Sequence, residues 1–315
     1  MLQEFFTVGE QVAILFLLIG IGALCAKTRL LDEKAVKAMA NLVLYVATPA
    51  VIIKSCIREF DPNLLWGFLT VVAVAAVNHG LLILAAHLFF RGKEENRRRV
   101  FRCALVFSNA GYMAIPLQQA ILGDTGVFYC AAYVIVFNVF LWTYGLMEMS
   151  GQRKLSAKQI LFNPGVLGVA VGLVLFLLPI SVPTMLTDAV NHLAVLNTPL
   201  PMLIIGYYLA QTNLLKALRD RASWLCMVLR LVGIPLLALG LLLLCGVRGD
   251  LLTACMICIS TPVATSNAMF SARHERDTGL AVNLVSVSTL LSVVTLPVMV
   301  ALADYLDALI WSVTV

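Results

Sequence analysis

Ser108-Asn109-Ala110-Gly111-Tyr112-Met113-Ala114-Ile115-Pro116 interrupts an apolar run that extends from Ala104 to Gly123. A spanning helix takes roughly 20 residues, so the run is about long enough to cross a bilayer once. Within it the nine residues gather an amide, a hydroxyl, a glycine and a proline. Proline removes a backbone donor and clashes with the turn before it, and glycine weakens a helix. A helix broken in mid-membrane exposes N–H and C=O groups that lipid cannot pair. Such a break survives only where protein or a water-filled cavity covers it, and there it makes a binding site.

Composition places this stretch in a membrane. The 315 residues are 61% hydrophobic and 12% charged, with a mean hydropathy of +0.95. A soluble domain carries about 25% charged residues, so this chain lacks the polar side chains to cover a water-facing surface. Its apolar residues come in long runs rather than alternating, which argues for helices and against a barrel. The fold class expected is an all-α integral membrane protein. Its net charge of +5 sits in the connections and speaks to orientation, not to nucleic acid. The eight cysteines are scattered through apolar segments, where cysteine behaves as a small hydrophobe. Cys255-x-x-Cys258 has no histidine or second pair beside it, so no metal or cofactor site is expected. The first apolar segment lacks a basic leader and reads as a full span rather than a cleaved signal.

Ten spans are expected, at about 8–26, 36–56, 64–90, 104–123, 127–149, 161–180, 186–210, 223–245, 251–271 and 279–303. Eighteen of the 22 Lys and Arg residues fall in the odd-numbered connections and three in the even-numbered ones. That bias puts the odd connections in the cytoplasm and both termini outside. The basic segment Arg91–Arg102 is the strongest anchor, and its expected partner is the anionic headgroup layer.

Two matched pairs divide the chain. Thr48-Pro49 in the second span returns as Thr198-Pro199 in the seventh, 150 residues on. Asp124-Thr125-Gly126 after the fourth span returns as Asp277-Thr278-Gly279 after the ninth, 153 residues on. Five spans is an odd number, so the second half enters the membrane from the opposite side. The expected plan is an inverted repeat, 1–150 and 160–315, joined by a cytoplasmic linker at 151–159.

If the halves match, the ninth span should be interrupted as the fourth is, and Ser260-Thr261-Pro262-Val263-Ala264-Thr265-Ser266-Asn267 supplies the interruption. Paired broken spans at corresponding positions point to a transporter's binding site. Their half-helix N-termini present free N–H groups and partial positive charge, which suits an anion. The candidate binding residues are Ser108, Asn109, Gly111, Tyr112 and Pro116 with Thr261, Pro262, Thr265, Ser266 and Asn267. Thr48, Pro49, Thr198 and Pro199 are expected to support the breaks. Packing kinks are common in membrane helices, and a single one would carry little weight.

These residues also carry a resemblance. Over nearly its full length the chain resembles bacterial members of the auxin efflux carrier family, which includes the plant PIN-type carriers. Asn109 followed by Met113-Ala114-Ile115-Pro116-Leu117 resembles the family's Asn-Thr-Leu-x-Met-Gly-Ile-Pro-Leu crossover. Thr261-Pro262 through Asn267 and Phe270 resembles its Leu-Pro-x-x-x-x-Pro-Phe crossover, and Ser288–Pro297 resembles the prokaryotic tenth span. The resemblance implies ten helices in two inverted five-helix halves, crossing broken helices 4 and 9, scaffold and transport regions, and an elevator movement. It further implies a small organic anion as substrate, with Asn109 as a carboxylate partner, a homodimer, and a place in the bacterial inner membrane. Asn267 stands where plant carriers have the second proline, and their long cytoplasmic loop is absent. A small mono- or dicarboxylate is therefore expected rather than auxin.

Ionisable residues in mid-membrane usually mark ion coupling, and here they are few. Arg230 lies about two turns into the eighth span, from where a long side chain can snorkel, and a scaffold or headgroup role is expected of it. His79 and His87 are expected to be packed and hydrogen-bonded rather than a proton relay. Asp188 and His192 open the seventh span and are candidates for an outer gate. No carboxylate cluster announces a proton or sodium site, so coupling to either is left open. The rivals are an ion-coupled bile-acid-type symporter of the same fold, a channel, and a membrane enzyme. The last lacks a nucleophile with a base beside it.

Overall fold

A computed structural model describes residues 2–92, 94–151, 164–178, 181–211 and 220–314. The linker expected at 151–159 lies, beyond Gly151, outside the described residues, as do Lys93, Lys216 and Arg219 of the basic connections. All regular structure among the described residues is helical. In chain order the helices are α1 (Leu2–Lys27), α2 (Glu33–Cys56), α3 (Pro62–Phe89), α4 (Glu95–Val106), α5 (Ala110–Ser150) and α6 (Pro164–Leu177). They continue as α7 (Thr184–Val195), α8 (Pro199–Ala210), α9 (Arg221–Leu244), α10 (Gly249–Ser260), α11 (Thr265–Arg273) and α12 (Thr278–Thr314). Among the described residues, seven helical stretches are long and apolar enough to cross a membrane, and two shorter apolar helices, Val166–Leu177 and Gly249–Ser260, accompany them.

Proline shapes these helices without always ending them. Its ring clashes with the carbonyl four residues back, and its missing N–H leaves that carbonyl unbonded. Three of the four π-helical turns end two residues before a proline. They are Val43–Ala47 before Pro49, Ala110–Ala114 before Pro116, and Leu229–Gly233 before Pro235. The widened turn clears the ring and lets the helix run on. Of the interruption expected over Ser108–Pro116, the chain leaves helix only at the start, Phe107–Asn109, and Pro116 sits in continuous helix. Thr48-Pro49 likewise stays inside α2, whereas Thr198-Pro199 does interrupt: α7 stops at Val195 and α8 starts at Pro199. At Gly123, with φ +62°, α5 turns sharply, in a conformation that a side chain would strain.

Lipid is as apolar as leucine, so membrane helices associate through close packing at small residues. Two helix pairs show this. A Cβ on Gly206 of α8 would lie 2.1 Å from the Ile19 carbonyl oxygen of α1, and one on Gly22 would lie 2.4 Å from the Leu203 carbonyl oxygen. On the other pair, a Cβ on Gly168 of α6 would meet Pro49 Cα at 2.9 Å, and one on Gly172 would meet Cys56 Sγ at 2.8 Å, both on α2.

Because backbone stands against backbone at Gly206, even one added methyl must push α1 and α8 apart. Gly206→Ala is expected to cost about 1–3 kcal/mol, the usual penalty for overpacking. It should lower the melting temperature of the detergent-purified protein, whereas Gly20→Ala, with open space around the new Cβ, should leave it unchanged.

Candidate functional site

The chain leaves helix between α4 and α5 and again between α10 and α11, and the two gaps meet. Ser108 lies opposite Val263 in an antiparallel bridge. The Asn109 N–H donates to the Pro262 carbonyl at 2.8 Å, and the Ala264 N–H donates to the Phe107 carbonyl at 2.9 Å. Another donor of the second gap, Val263 N–H, reaches Ser288 Oγ on α12 at 3.1 Å. Each gap thus supplies backbone partners for the other, as a water-free setting demands.

Arg230 completes the crossing from behind. Its side chain does not snorkel: the residue is 0% exposed. Its Nη2 donates to the carbonyls of Ile259 at 2.7 Å and Thr261 at 3.2 Å, and Nη1 to Leu105 at 3.5 Å. Those carbonyls belong to the C-terminal ends of α10 and α4, where a helix runs out of its own donors. A guanidinium held there is a stronger attraction than the headgroup layer.

On the other side of the crossing a cavity of about 200 Å³ opens before the N-termini of α5 and α11. Ser108, Asn109, Gly111 and Tyr112 line it from the first gap, and Ala264 and Ser266 from the second. Thr48, Asn41 and Tyr45 of α2, Phe137, Asn138 and Trp142 of α5, and Phe270 of α11 supply further walls. The Trp142 and Phe270 rings meet edge to face, 5.5 Å between centroids. Several polar atoms around the crossing are buried without a partner: Asn109 Nδ2, Thr265 Oγ1, Ser266 Oγ, and both amide atoms of Asn267. Buried polar atoms are nearly always paired, so a group of orphans beside a cavity marks a place for a ligand.

Other expected site residues have different work. Thr261 Oγ1 donates to the Cys258 carbonyl and its own carbonyl serves Arg230, while the Pro262 carbonyl serves Asn109. Both hold the crossing together rather than line the cavity. Thr265 and Asn267 are buried beside it. Pro116, Thr198 and Pro199 border a second cavity, of about 340 Å³, with Lys54, Gln119 and Asn197. Along α2 the first cavity takes Asn41 to Thr48 and the second Val51 and Lys54, so the two lie at successive levels. Between them Thr48 Oγ1 donates to Asn197 Oδ1 at 2.9 Å, both side chains buried.

Arg273, at the C-terminal end of α11, is exposed and also lines the first cavity. Burial, with Arg273 and Arg276 adding to it, holds the neighbouring His274 below the usual imidazole range. Sequence reading counted Arg273 only as a loop charge. Asn138, another lining residue it missed, did carry a signal: an amide within the apolar run Tyr133–Leu141.

The basic segment after α3 turns inward instead of serving headgroups alone. Arg97 pairs with Asp220 at 2.5 Å and Arg99 with Glu95 at 2.6 Å. Arg102 pairs with Glu148 at 3.1 Å, and the guanidiniums of Arg99 and Arg276 cap the carbonyls of Glu148 and Met149 at the end of α5. His79 is packed as expected: Nδ1 donates to the Ala75 carbonyl at 2.8 Å and the ring stacks on Phe140. Asp188 and His192 both lie exposed on α7.

The family described as "Membrane transport protein" matches residues 7–159 and 153–300. A protein of Methanocaldococcus jannaschii, described as an uncharacterized transporter, is 23% identical over 297 residues, covering 90% of this chain and 94% of the relative. A second, from Methanothermobacter thermautotrophicus and described in the same words, is 23% identical over 294 residues, covering 91% and 96%. With a family match across most of its length, the chain is a membrane transporter and not an enzyme, and it belongs to the membrane transport protein family of auxin efflux carrier type.

Proposed function

We propose that the protein is a secondary carrier that moves a small organic anion, a mono- or dicarboxylate, across the inner membrane. The observation that carries this reading is the pair of half-helix N-termini, those of α5 and α11, facing one cavity beside unpartnered Asn109 and Ser266. Each N-terminus contributes roughly half a positive charge. A carboxylate placed there would accept from first-turn N–H groups and from Asn109 Nδ2, and the aromatic walls would take its apolar body.

In this reading the spans number ten, in two inverted halves at 1–150 and 160–315. Support comes from the helix pairs at the glycine contacts: the first span packs on the seventh, and the sixth on the second, which is how two exchanged halves would meet. The loop-charge bias then sets both termini outside and turns the first cavity, with Arg273 at its rim, toward the cytoplasm. Transport would proceed by an elevator movement that opens the second cavity in turn, at the expense of the Thr48–Asn197 hydrogen bond. The homodimer follows from the family resemblance.

Uptake of labelled malate into proteoliposomes tests the site. Asn109→Ala removes a donor in a desolvated setting, worth about 1–3 kcal/mol. Uptake is expected to fall roughly tenfold or more at unchanged melting temperature, and wild-type rates from that variant would remove Asn109 from the site. Arg273 supplies the second anchor. Arg273→Gln should raise the KM for malate about tenfold, the equivalent of about 1.4 kcal/mol, while sparing lactate. Equal effects on both acids would show that the rim charge does not read the substrate's second carboxylate.

A further inference from the structure

Arg230 is buried with no acidic partner among the described residues; its acceptors are the carbonyls of Leu105, Ile259 and Thr261. A lone charge is costly inside a protein, and more so inside a membrane. What balances it here is the helix ends themselves. A helix carboxyl end carries roughly half a negative charge, and Arg230 bridges two of them, so one guanidinium meets about one unit of opposite charge. In carriers built on interrupted helices, such carbonyl ends are where a coupling sodium ion is bound. In this chain the same coordination is delivered by a side chain. A guanidinium stays protonated in proteins and, being tethered to α9, cannot leave with the substrate.

We propose that Arg230 is the resident counter-cation of the crossing. It ties the carboxyl ends of α4 and α10 into one body, takes the carbonyls a sodium ion would otherwise use, and so makes anion binding independent of sodium. With the carboxyl ends neutralised, the amino ends of α5 and α11 act on the ligand uncompensated, which raises the positive potential in the cavity. Arg230 is thus a positioning residue: it never meets the anion, but it sets the geometry and field of the groups that do. The sodium half of this inference rests on the carrier reading, whereas the bridging half stands without it.

Two measurements test it. In the first, malate binding to the purified wild type is followed by thermal shift in sodium chloride and in choline chloride. Equal affinities within about twofold are expected, and a loss of tenfold or more in choline would overturn the sodium-independent role. In the second, Arg230→Ala is compared with wild type in the absence of any acid, with and without 5 mM guanidinium. The variant is expected to melt lower, and guanidinium, refilling the vacated place, to raise its melting temperature while leaving the wild type unmoved. A variant that melts like the wild type, or that guanidinium does not restore, overturns the bridging role. If Arg230→Ala yields no folded protein, Arg230→Lys takes its place. Lysine keeps the charge but offers a single point rather than a fork, so weakened stability with sodium-independent malate binding is expected, and sodium-dependent binding is not. Failure of the wild type to bind malate in either salt would count against the carrier reading, and the guanidinium comparison would still decide Arg230.

Discussion

Lipid offers no hydrogen bonds, so an interrupted helix inside a membrane must find its missing partners within the chain. This constraint governs the centre of the molecule. Two gaps are placed where each can answer the other, through Asn109 to Pro262 and Ala264 to Phe107. The pairing uses only part of the freed backbone. Carbonyls at the ends of α4 and α10 accept from Arg230. What remains beside the crossing is a cavity bordered by residues of both gaps.

Much of this is legible in the sequence because lipid punishes polarity so heavily. Ser108-Asn109 and Thr261-Pro262 stand out against apolar runs, and no soluble protein would make such short interruptions so conspicuous. Their placement is also legible to within a few residues, but not the part each proline takes. Pro116 looks like the breaker, yet a π turn absorbs it and the chain leaves helix about two turns earlier. A local motif does not say whether the helix before it has room to widen, since that depends on packing.

Charge is the other place where sequence misleads. Arg230 and Arg273 differ little as letters: one sits a short way inside an apolar segment and the other just past one. In three dimensions the first is wholly enclosed at the crossing and the second stands at the rim of the cavity. Arg97, Arg99 and Arg102 carry the same lesson, since their partners Asp220, Glu95 and Glu148 range from four to more than a hundred positions away. A count of basic residues per connection reports orientation, but it is blind to which of them are spoken for inside the protein.

The proline-linked π turns have a consequence for how such chains vary. A π turn holds one more residue than an α turn, so everything beyond it is rotated about a quarter-turn on the helix axis. Val43–Ala47 and Ala110–Ala114 lie where α2 and α5 pass from residues lining the first cavity to residues lining the second. Deleting a single residue within either turn would take away the clearance for the ring, so the helix would have to kink at Pro49 or Pro116 and re-aim the cavity wall with no change to the residues that compose it.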